Sequence, residues 1–334
     1  MSIMEMAAWV QAHDDFLVAS HTHPDGDAVG ATLAATHLLK VLGKRVVMYN
    51  ATGLPESYSW LKLPAPLVTR LSQLDELKFA PKACLMLDCG DLPRAGEEMT
   101  AAWNAGKFAA TAAIDHHRDN PLFADVNWVN PATGATAQMV GELAQLLGFE
   151  LSGALGEAVY LGLSGDTGNF TYDNTTPDIL TMAAGIVGHG FNVAAFHSHL
   201  DEQWTLPRLK AWGELLGRVE TAFSGRVAYV AAEQEFFDRH RLPGTDYSDF
   251  SSLLRRIRGV SIGLFIRSTG PGQCKASLRS SGPVDVCTPA VMFGGGGHRN
   301  AAGVEMAVLP REALLLLLPQ LEKALADADG AKGE

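Results

Sequence analysis

The sequence lacks the features that define several large classes of protein. Its 334 residues include only four cysteines, and no two of them have the Cys-x-x-Cys spacing, which argues against a zinc knuckle or a disulfide framework. No apolar run approaches the roughly 18 residues needed to cross a membrane, and the densest run covers only residues 313–318. The N-terminus has no basic segment followed by an apolar one. We therefore expect no signal peptide, no membrane partner and a cytoplasmic protein.

What is present is the composition of a globular protein with a sizeable core. The chain is 47% hydrophobic and 19% charged, with a mean hydropathy of +0.06. These values exclude disordered, collagenous and repeat-array chains. At roughly 150 residues per domain, the length predicts two domains. A net charge of −11 and a pI of about 5.4 argue against nonspecific binding of duplex nucleic acid.

The charges are unevenly distributed. Residues 1–200 contain 10 Lys or Arg against 21 Asp or Glu, and no Lys or Arg occurs between Arg118 and Leu206. The remainder has 16 of each sign, and the stretch 255–299 has seven basic residues but only one acid, Asp285. This asymmetry predicts that the first half holds cations and the second half holds anions.

Apolar runs alternate with helical patterns throughout the first half. Strands are predicted at residues 16–19, 45–48, 83–87 and 110–114, and helices at 28–42, 136–147, 155–163 and 177–187. Such alternation is typical of βαβ units and predicts an α/β fold with a mostly parallel sheet.

The second half begins a new pattern and predicts a smaller α/β domain with a mixed sheet. Its strands are expected at residues 226–231, 260–267, 275–279 and 303–308, and its helices at 233–239, 247–257, 283–293 and 310–326. The predicted organisation is a domain at residues 1–190, a connecting helical segment at 191–217 and a second domain at 218–330.

Acidic and histidine side chains cluster where the first-half strands and one helix end. The clusters are Ser-His-Thr-His-Pro-Asp-Gly-Asp-Ala at 20–28, Leu-Asp-Cys-Gly-Asp at 87–91, Ile-Asp-His-His at 114–117 and Ser-Gly-Asp-Thr-Gly at 164–168. Any one of them alone is typical of a turn or a helix cap. Because ligands of open α/β sheets bind at the carboxyl ends of strands, four such clusters together predict one functional site.

The chemistry of these clusters indicates a divalent cation. Buried carboxylates need a partner, and no Lys or Arg lies in any of the four clusters. Carboxylate and imidazole ligands without thiolate favour Mn²⁺, with Mg²⁺, Fe²⁺ or Co²⁺ as alternatives. A carboxylate shared by two ions would place them at the spacing used in two-metal phosphoester hydrolysis.

The second half carries a candidate anion site. Four glycines, 294–297, precede His298, Arg299 and Asn300, and an upstream predicted strand contains Arg279. Successive backbone N–H groups in a glycine-rich loop can form an anion-binding nest. A guanidinium group binds phosphate in a bidentate manner. Together they predict phosphate binding.

These motifs resemble the DHH/DHHA1 phosphoesterase family over essentially the whole chain. The matching segments are HTHPDGDAVG, LDCGD, DHH, GDTGNF, SLRSSGPVDV and GGGGHRNAAG. A compact two-domain chain of this length most resembles the nanoRNase, or oligoribonuclease, type. The resemblance implies a DHH catalytic domain, a DHHA1 substrate-binding domain and an active site in the cleft between them. It also implies hydrolysis of short single-stranded RNA, linear dinucleotides such as pApA or pGpG, or 3′-phosphoadenosine 5′-phosphate (pAp). A homodimer is a further expectation.

The resemblance also implies a role for each matching residue. One Mn²⁺ would be bound by His21, Asp25 and Asp88, and the second by Asp27, Asp88, His116 and Asp166. Asp88 would bridge the two ions and His117 would lie beside the scissile phosphate, so both are expected to be catalytic. Gly295, Gly296, Gly297, His298 and Arg279 would hold the other phosphate or the terminal nucleotide. His23 and Asp115 would orient the ligands.

Three other functions are open on the sequence. A cyclic-dinucleotide phosphodiesterase would share the motifs, but such members often carry added sensory and membrane segments. An inorganic pyrophosphatase of family II would share the first-domain motifs but lacks the GGGGH motif. A non-catalytic nucleotide-binding module would not need a full set of metal ligands.

Overall fold

The computed structural model describes residues 2–201, 204–242, 247 and 249–330. The chain divides into two compact units, Met1–Gln203 and Trp204–Glu334. The helical segment expected at 191–217 is shared between them. Its first part belongs to the first unit, and its second part belongs to the second unit.

The first unit is built on a six-stranded sheet in which every pair of neighbouring strands is parallel. Its strands are β1 (Phe16–Ala19), β2 (Val46–Tyr49), β3 (Leu67–Val68), β4 (Ala83–Leu87), β5 (Ala110–Asp115) and β6 (Val126–Val129). Their order is β3-β2-β1-β4-β5-β6. The direction of strand succession therefore reverses between β1 and β4, and in sheets of this topology ligands bind at that switch point.

Helices cover both faces of this sheet. They are α1 (Ile3–Ala12), α2 (Gly26–Val41), α3 (Gln73–Glu76), α4 (Glu97–Asn104), α5 (Thr136–Leu146), α6 (Gly153–Asp166), α7 (Pro177–Gly188) and α8 (Val193–Asp201). Along β1, Phe16 and Val18 join the core beneath α1, α2, α5 and α6. Leu17 and Ala19 join the core beneath α3 and α4. This alternation is the two-residue period of a strand buried on both sides.

Close packing of α2 on α6 depends on glycine. A Cβ on Gly30 would lie 2.5 Å from the backbone nitrogen of Gly162, and one on Gly165 would lie 2.9 Å from the Cα of Gly26. Side chains at these positions would hold the helices apart. The contact brings the N-terminus of α2 beside the C-terminus of α6, where two of the predicted acidic clusters lie.

The second unit contains a six-stranded mixed sheet. Its strands are β7 (Glu220–Ala222), β8 (Val227–Ala232), β9 (Ile262–Gly270), β10 (Gln273–Ser280), β11 (Gly296–His298) and β12 (Ala301–Met306). The order is β11-β12-β10-β9-β8-β7. Among the strands that the structure describes here, only β8 and β9 pair in parallel, and the other neighbours are antiparallel.

Each face of the second sheet has its own helices. They are α9 (Leu206–Leu216), α10 (Gln234–His240), α11 (Phe250–Leu254), α12 (Cys287–Val291) and α13 (Pro310–Gly330). The first three cover one face, and the last two cover the other. The predicted fold class, a parallel-sheet α/β domain followed by a mixed-sheet α/β domain, is confirmed.

No single helix among the described residues is long and apolar enough to cross a membrane. By length and composition alone, α7 and the segment Val193–Leu200 pass such a test as a pair, but they are bent by 109°.

Candidate metal centre

The predicted first-half clusters meet at the carboxyl ends of β1, β4 and β5. The segment after β1 carries His21 and leads into α2, whose N-cap is Asp25. Asp25 Oδ1 accepts hydrogen bonds from the N–H groups of Asp27 and Ala28, each at 3.1 Å. Asp25 Oδ2 then lies 3.9 Å from His21 Nε2. Capping the helix therefore positions one oxygen of this carboxylate toward the histidine.

Asp88 lies at the middle of the cluster. It follows β4 with a φ of 51°, a left-handed conformation that is uncommon outside glycine and that Asp tolerates better than most residues. Its Oδ2 lies 3.7 Å from His21 Nε2, whereas its Oδ1 lies 3.6 Å from His116 Nε2. The two oxygens of one buried carboxylate thus face two different histidines, as a bridging ligand requires.

The remaining predicted ligands surround His116. Its Nε2 lies 3.9 Å from Asp27 Oδ2 and 3.7 Å from Asp166 Oδ2. Asp27 lies in the first turn of α2 and Asp166 in the last turn of α6, so the glycine-mediated packing of these helices brings them together. Three compact groups of donors result: His21 with Asp25 and Asp88, Asp27 with His116 and Asp166, and Asp88 with His116 and His117.

The donor spacing fits divalent cations. Metal–ligand bonds of about 2.0–2.2 Å put two ligands of one ion no more than about 4.4 Å apart, and the separations given above are all within that limit. Among the described residues, no Lys or Arg forms an ion pair with Asp25, Asp27, Asp88 or Asp166. The cluster therefore has the chemistry of a divalent-metal centre and no protein cation that neutralises its carboxylates.

The pKa values of the clustered carboxyl groups are raised because these groups are buried close to one another. Burial raises the pKa of Asp27 well above its ordinary value, and the charges of Asp88 and Asp166 raise it further. Burial and the charge of Asp25 raise the pKa of Asp88. Burial also raises the pKa of Asp166 to about 6, although His116 opposes the shift. Carboxylates crowded in this way bind a proton or a cation in preference to remaining charged and unpaired.

Hydrogen bonds orient the two central histidines. His21 Nδ1 lies 2.8 Å from the carbonyl oxygen of Thr22, and His116 Nδ1 lies 3.3 Å from that of Thr133. A carbonyl oxygen only accepts, so each Nδ1 carries the proton and donates it. The lone pair of each Nε2 is thereby directed at the carboxylates, which is the arrangement found for metal-bound histidines.

Asp115 acts on the third histidine. Its Oδ1 accepts a hydrogen bond from His117 Nδ1 at 2.7 Å, and its Oδ2 accepts one from Asn120 Nδ2 at 2.6 Å. Burial raises the pKa of Asp115, but these hydrogen bonds outweigh burial and the pKa lies below its ordinary value. The bond to Asp115 is also the main cause of the raised pKa of His117. Asp115 therefore orients the ring of His117, and its expected role in orienting the metal ligands stays a prediction.

His23 lies on the surface of the loop that follows β1. Its side chain is exposed, its φ is 52°, and its backbone N–H donates to Thr52 Oγ1 at 2.7 Å. Within the described part of the chain, its ring makes no hydrogen bond or ion pair with the cluster. His23 contributes a turn to this loop, and its orienting role stays a prediction.

In the second unit, the glycine run forms β11, which the sequence did not predict. A Cβ on Gly295 would lie 2.3 Å from the carbonyl oxygen of Gly303, and one on Gly297 would lie 2.3 Å from that of Ala301. Two of the three predicted ligand-binding glycines are thus required by the approach of β12. Of the three, Gly296 alone has open space at the Cβ position. The backbone of His298 belongs to β11, and its side chain lies outside the described residues.

Arg279 lies in β10, paired with Ala301 of β12 and Gly263 of β9. Its Nη1 donates to the carbonyl oxygen of Leu278 at 3.0 Å. Arg279 of β10 and His298 of β11 both pair with Ala301 of β12. The second unit therefore places these two predicted ligand-binding residues on either side of one position in the sheet.

Sequence reasoning missed three polar residues at the centre. Thr136 Oγ1 donates to Asp88 Oδ1 at 3.0 Å, and Asn174 Nδ2 donates to Asp166 Oδ2 at 3.2 Å. Arg94 Nη1 lies 3.4 Å from His117 Nε2. None of the three has a spacing from its partner that could have identified it, because each contact depends on the assembled fold.

The fold and this centre define a two-domain α/β protein with a divalent-metal site at the switch point of its first sheet. Residues 15–163 match the N-terminal domain of the DHH family, and residues 226–330 match the DHHA1 domain. The chain belongs to the DHH family.

Curated relatives and a solved structure match most of the chain. The bifunctional oligoribonuclease and PAP phosphatase NrnA of Thermus thermophilus is 32% identical over 296 residues, 86% of this chain and 83% of that protein. The protein of the same name from Mycoplasma genitalium is 26% identical, covering 90% of this chain and 92% of its own. The crystal structure of an exopolyphosphatase-related protein from Bacteroides fragilis has a TM-score of 0.90 at 25% identity, covering 98% and 97% of the two chains.

Proposed function

We propose that this protein is a divalent-metal-dependent phosphodiesterase that hydrolyses short oligoribonucleotides to mononucleotides. Linear dinucleotides such as pApA and pGpG belong to this substrate class, and pAp is a second substrate. The observation that carries the proposal is the position of Asp88, whose two oxygens face two separate sets of metal donors. The names of the relatives, oligoribonuclease and PAP phosphatase, support this choice of substrates.

The proposed metal ligands are divided between two sites. His21 and Asp25 belong to one site, Asp27, His116 and Asp166 belong to the other, and Asp88 is common to both. When bound there, two divalent ions lower the pKa of the attacking water and offset the negative charge of the phosphoryl group. Mn²⁺ suits oxygen and imidazole donors without thiolate.

His117 is proposed to act on the scissile phosphate. Asp115 Oδ1 accepts a hydrogen bond from His117 Nδ1, so Nε2 is the ring nitrogen that remains to contact the substrate. The raised pKa of His117, caused chiefly by that hydrogen bond, favours a protonated ring that donates to a phosphoryl or leaving-group oxygen. Asp115 holds the ring in place while that proton is given.

The second unit is proposed to bind the part of the substrate that does not react. Arg279 supplies a guanidinium group suited to phosphate. Gly296 leaves its backbone open, and Gly295, Gly297 and His298 are proposed to complete this substrate-binding segment. Because Arg279 lies in a different unit from the metal donors, its loss should raise KM and leave the metal content unchanged.

The test compares metal-stripped protein with and without Mn²⁺, on 5′-phosphorylated diadenylate and on pAp. Release of mononucleotide only in the presence of metal supports the proposal, and the ratio of the two rates identifies the preferred substrate. An Asp88→Asn preparation, purified in the same way, measures any contaminating nuclease. No turnover of either substrate would reject the proposal, and cyclic dinucleotides and pyrophosphate would then be tried.

A further inference from the structure

Arg94 lies at the edge of the metal centre, in a single 3-10 turn at Leu92–Ala95. Its Nη1 is 3.4 Å from His117 Nε2. The carbonyl oxygen of Arg94 accepts a hydrogen bond from the N–H of Thr22 at 2.7 Å, so the turn is attached to the segment that carries His21. Among the ten Lys and Arg of residues 2–201, Arg94 is the one whose side chain hydrogen bonds to the centre.

The hydrogen bond between His117 and Asp115 explains why His117 Nε2 faces Arg94. Asp115 Oδ1 accepts from Nδ1 at 2.7 Å, so Nε2 is turned toward Arg94. Arg94 is exposed, and within the described residues it forms no ion pair with any carboxylate. A guanidinium group carries five N–H donors and is always charged. Most of its donors therefore remain for a ligand.

The packing leaves room for both side chains. A Cβ on Gly90 would lie 3.1 Å from His117 Cγ and 3.3 Å from Arg94 Nη1. Glycine at this position lets the imidazole and the guanidinium lie side by side over the loop that follows Asp88. The chain thus presents the guanidinium N–H donors of Arg94 and the imidazole Nε2 of His117 side by side at the rim of an acidic centre.

We propose that Arg94 and His117 bind the same phosphoryl group, the one that reacts, and that Arg94 is a substrate-contacting residue of the first unit. The inference rests on the proposed function. The planar set of N–H donors of a guanidinium group matches the oxygens of a phosphate, and His117 lies beside it. Hydrolysis of a diester yields a monoester with one more negative charge, and a fixed guanidinium group stabilises charge that develops during the reaction. The role differs from that of Arg279, which would hold the phosphate that does not react.

Two substitutions at this position separate charge from shape. Arg94→Met keeps the length of the side chain and removes its donors, and kcat/KM for diadenylate should fall about 100-fold, as when one donor to a developing charge is lost. Arg94→Lys keeps the charge but not the planar set of donors, so it should recover part of the loss. Arg70→Met is the matched control, since Arg70 is an exposed arginine of the same unit.

Two further measurements exclude a merely structural effect. The bound metal and the melting temperature of Arg94→Met should equal those of the unaltered protein. The Kd for adenosine 5′-phosphate, a product, should rise about tenfold or more, because a charge-assisted hydrogen bond to phosphate is lost. If Arg94→Met loses metal, or if it binds adenosine 5′-phosphate and turns over substrate as the control does, the inference is wrong.

A small diester distinguishes the two arginines. Bis(4-nitrophenyl) phosphate has a phosphoryl group to cleave but no second phosphate. On this substrate Arg94→Met should remain impaired, whereas Arg279→Ala should equal the unaltered protein. The reverse result would overturn the assignment of Arg94 to the reacting phosphate. If the unaltered protein cleaves neither diadenylate nor pAp, the proposed function itself fails, and the Kd for adenosine 5′-phosphate still decides whether Arg94 binds a phosphate.

Discussion

The carboxylate of Asp27 accepts a hydrogen bond from the backbone N–H of Ala137 at 2.8 Å, although 110 positions separate the two residues. The N–H of Thr136 donates to the other oxygen at 2.5 Å. The first turn of α5 thus satisfies its unpaired donors with a side chain from α2. Burial and the charges of Asp88 and Asp166 still raise the pKa of Asp27. These bonds therefore orient Asp27 but leave the cluster in need of a cation.

The position of Asp27 depends on the absence of a side chain at Gly162. A Cβ there would lie 2.2 Å from Ala137 Cβ and 2.7 Å from Asp27 Oδ1. Gly162→Ala should destabilise the first unit by about 1–3 kcal/mol, the usual cost of overpacking, and should weaken metal binding as well. Thermal unfolding and metal titration measure the two effects.

Gly185→Ala is the matched control. Gly185 lies within α7, and nothing lies within 4 Å of its Cβ position. Alanine should stabilise that helix by up to about 1 kcal/mol and leave metal binding unchanged. Equal melting temperatures for the two variants would contradict the packing argument.

The hydroxyl group of Thr136 should affect the metal through Asp88. Thr136→Val keeps the size and branching of the side chain but removes the donor to Asp88 Oδ1. Because such outer partners tune the ligand, affinity for Mn²⁺ should fall about 10–100-fold. Equilibrium dialysis measures this fall. Thr181→Val, at an exposed threonine whose hydroxyl bonds to Pro177, should bind the metal as the unaltered protein does.

The segment 88–91 offers a comparison of two aspartates in one loop. Asp88→Asn removes the carboxylate common to both donor sets, so metal binding at both sites and hydrolysis should fall by more than the roughly 100-fold expected for an outer partner. Asp91 is exposed and lies outside the three metal-donor groups, so Asp91→Asn should retain both properties. Metal content and initial rates measure the outcome, and a metal-replete Asp88→Asn protein would refute the bridging role.

The main features of the fold follow from patterns that are local in the sequence. The central strands are short apolar runs buried on both faces, and β1 and β4 begin and end where the sequence predicts. The clusters at strand ends were predictable because parallel strands present their carboxyl ends at one edge. Gly188, which ends α7, was also predictable from the Gly-His-Gly sequence.

Other helices and strands were not predicted correctly, because their sequence signals are weak or because tertiary contacts determine them. The helix at 283–293 is confined to α12, since Asp285 Oδ1 accepts from the N–H groups of Cys287 and Thr288 and fixes a turn before it. β3 has two residues, too few to show a period. α1 was overlooked, although Ser2 and Glu5 form a capping box that the sequence displays.

The candidate site likewise contains residues that the sequence identifies and residues that only the folded structure identifies. Asp and His ligands are visible because their chemistry is distinctive and their clusters are short. The contacts of Thr136 with Asp88 and of Arg94 with His117 join residues from different elements, and neither residue type is unusual in a loop or helix start. A sequence without its fold gives no reason to select them.

A pH effect is expected in the second unit, away from the metal. Glu214 on α9 accepts hydrogen bonds from His240 Nε2 at 2.7 Å and from Arg239 Nη2 at 2.8 Å, both on α10. The hydrogen bond with His240 is the main cause that lowers the pKa of Glu214 to about 2 from 4.5; burial opposes the shift and Arg239 adds to it.

Because the folded pKa of Glu214 lies below the unfolded one, the charged carboxylate stabilises the fold at pH values above 4.5, and this contribution is lost as the pH falls toward 2. Glu214→Gln should therefore destabilise the second unit above pH 4.5, by about 1 kcal/mol at most since solvent screens these contacts. The difference between variant and unaltered protein should shrink as the pH approaches 2. Urea unfolding followed across this range measures it, with Glu235→Gln as the control because the exposed Glu235 carboxylate pairs with no cation in the described part of the chain. A difference that grows on acidification would show that the carboxylate of Glu214 is not stabilised by its cationic neighbours.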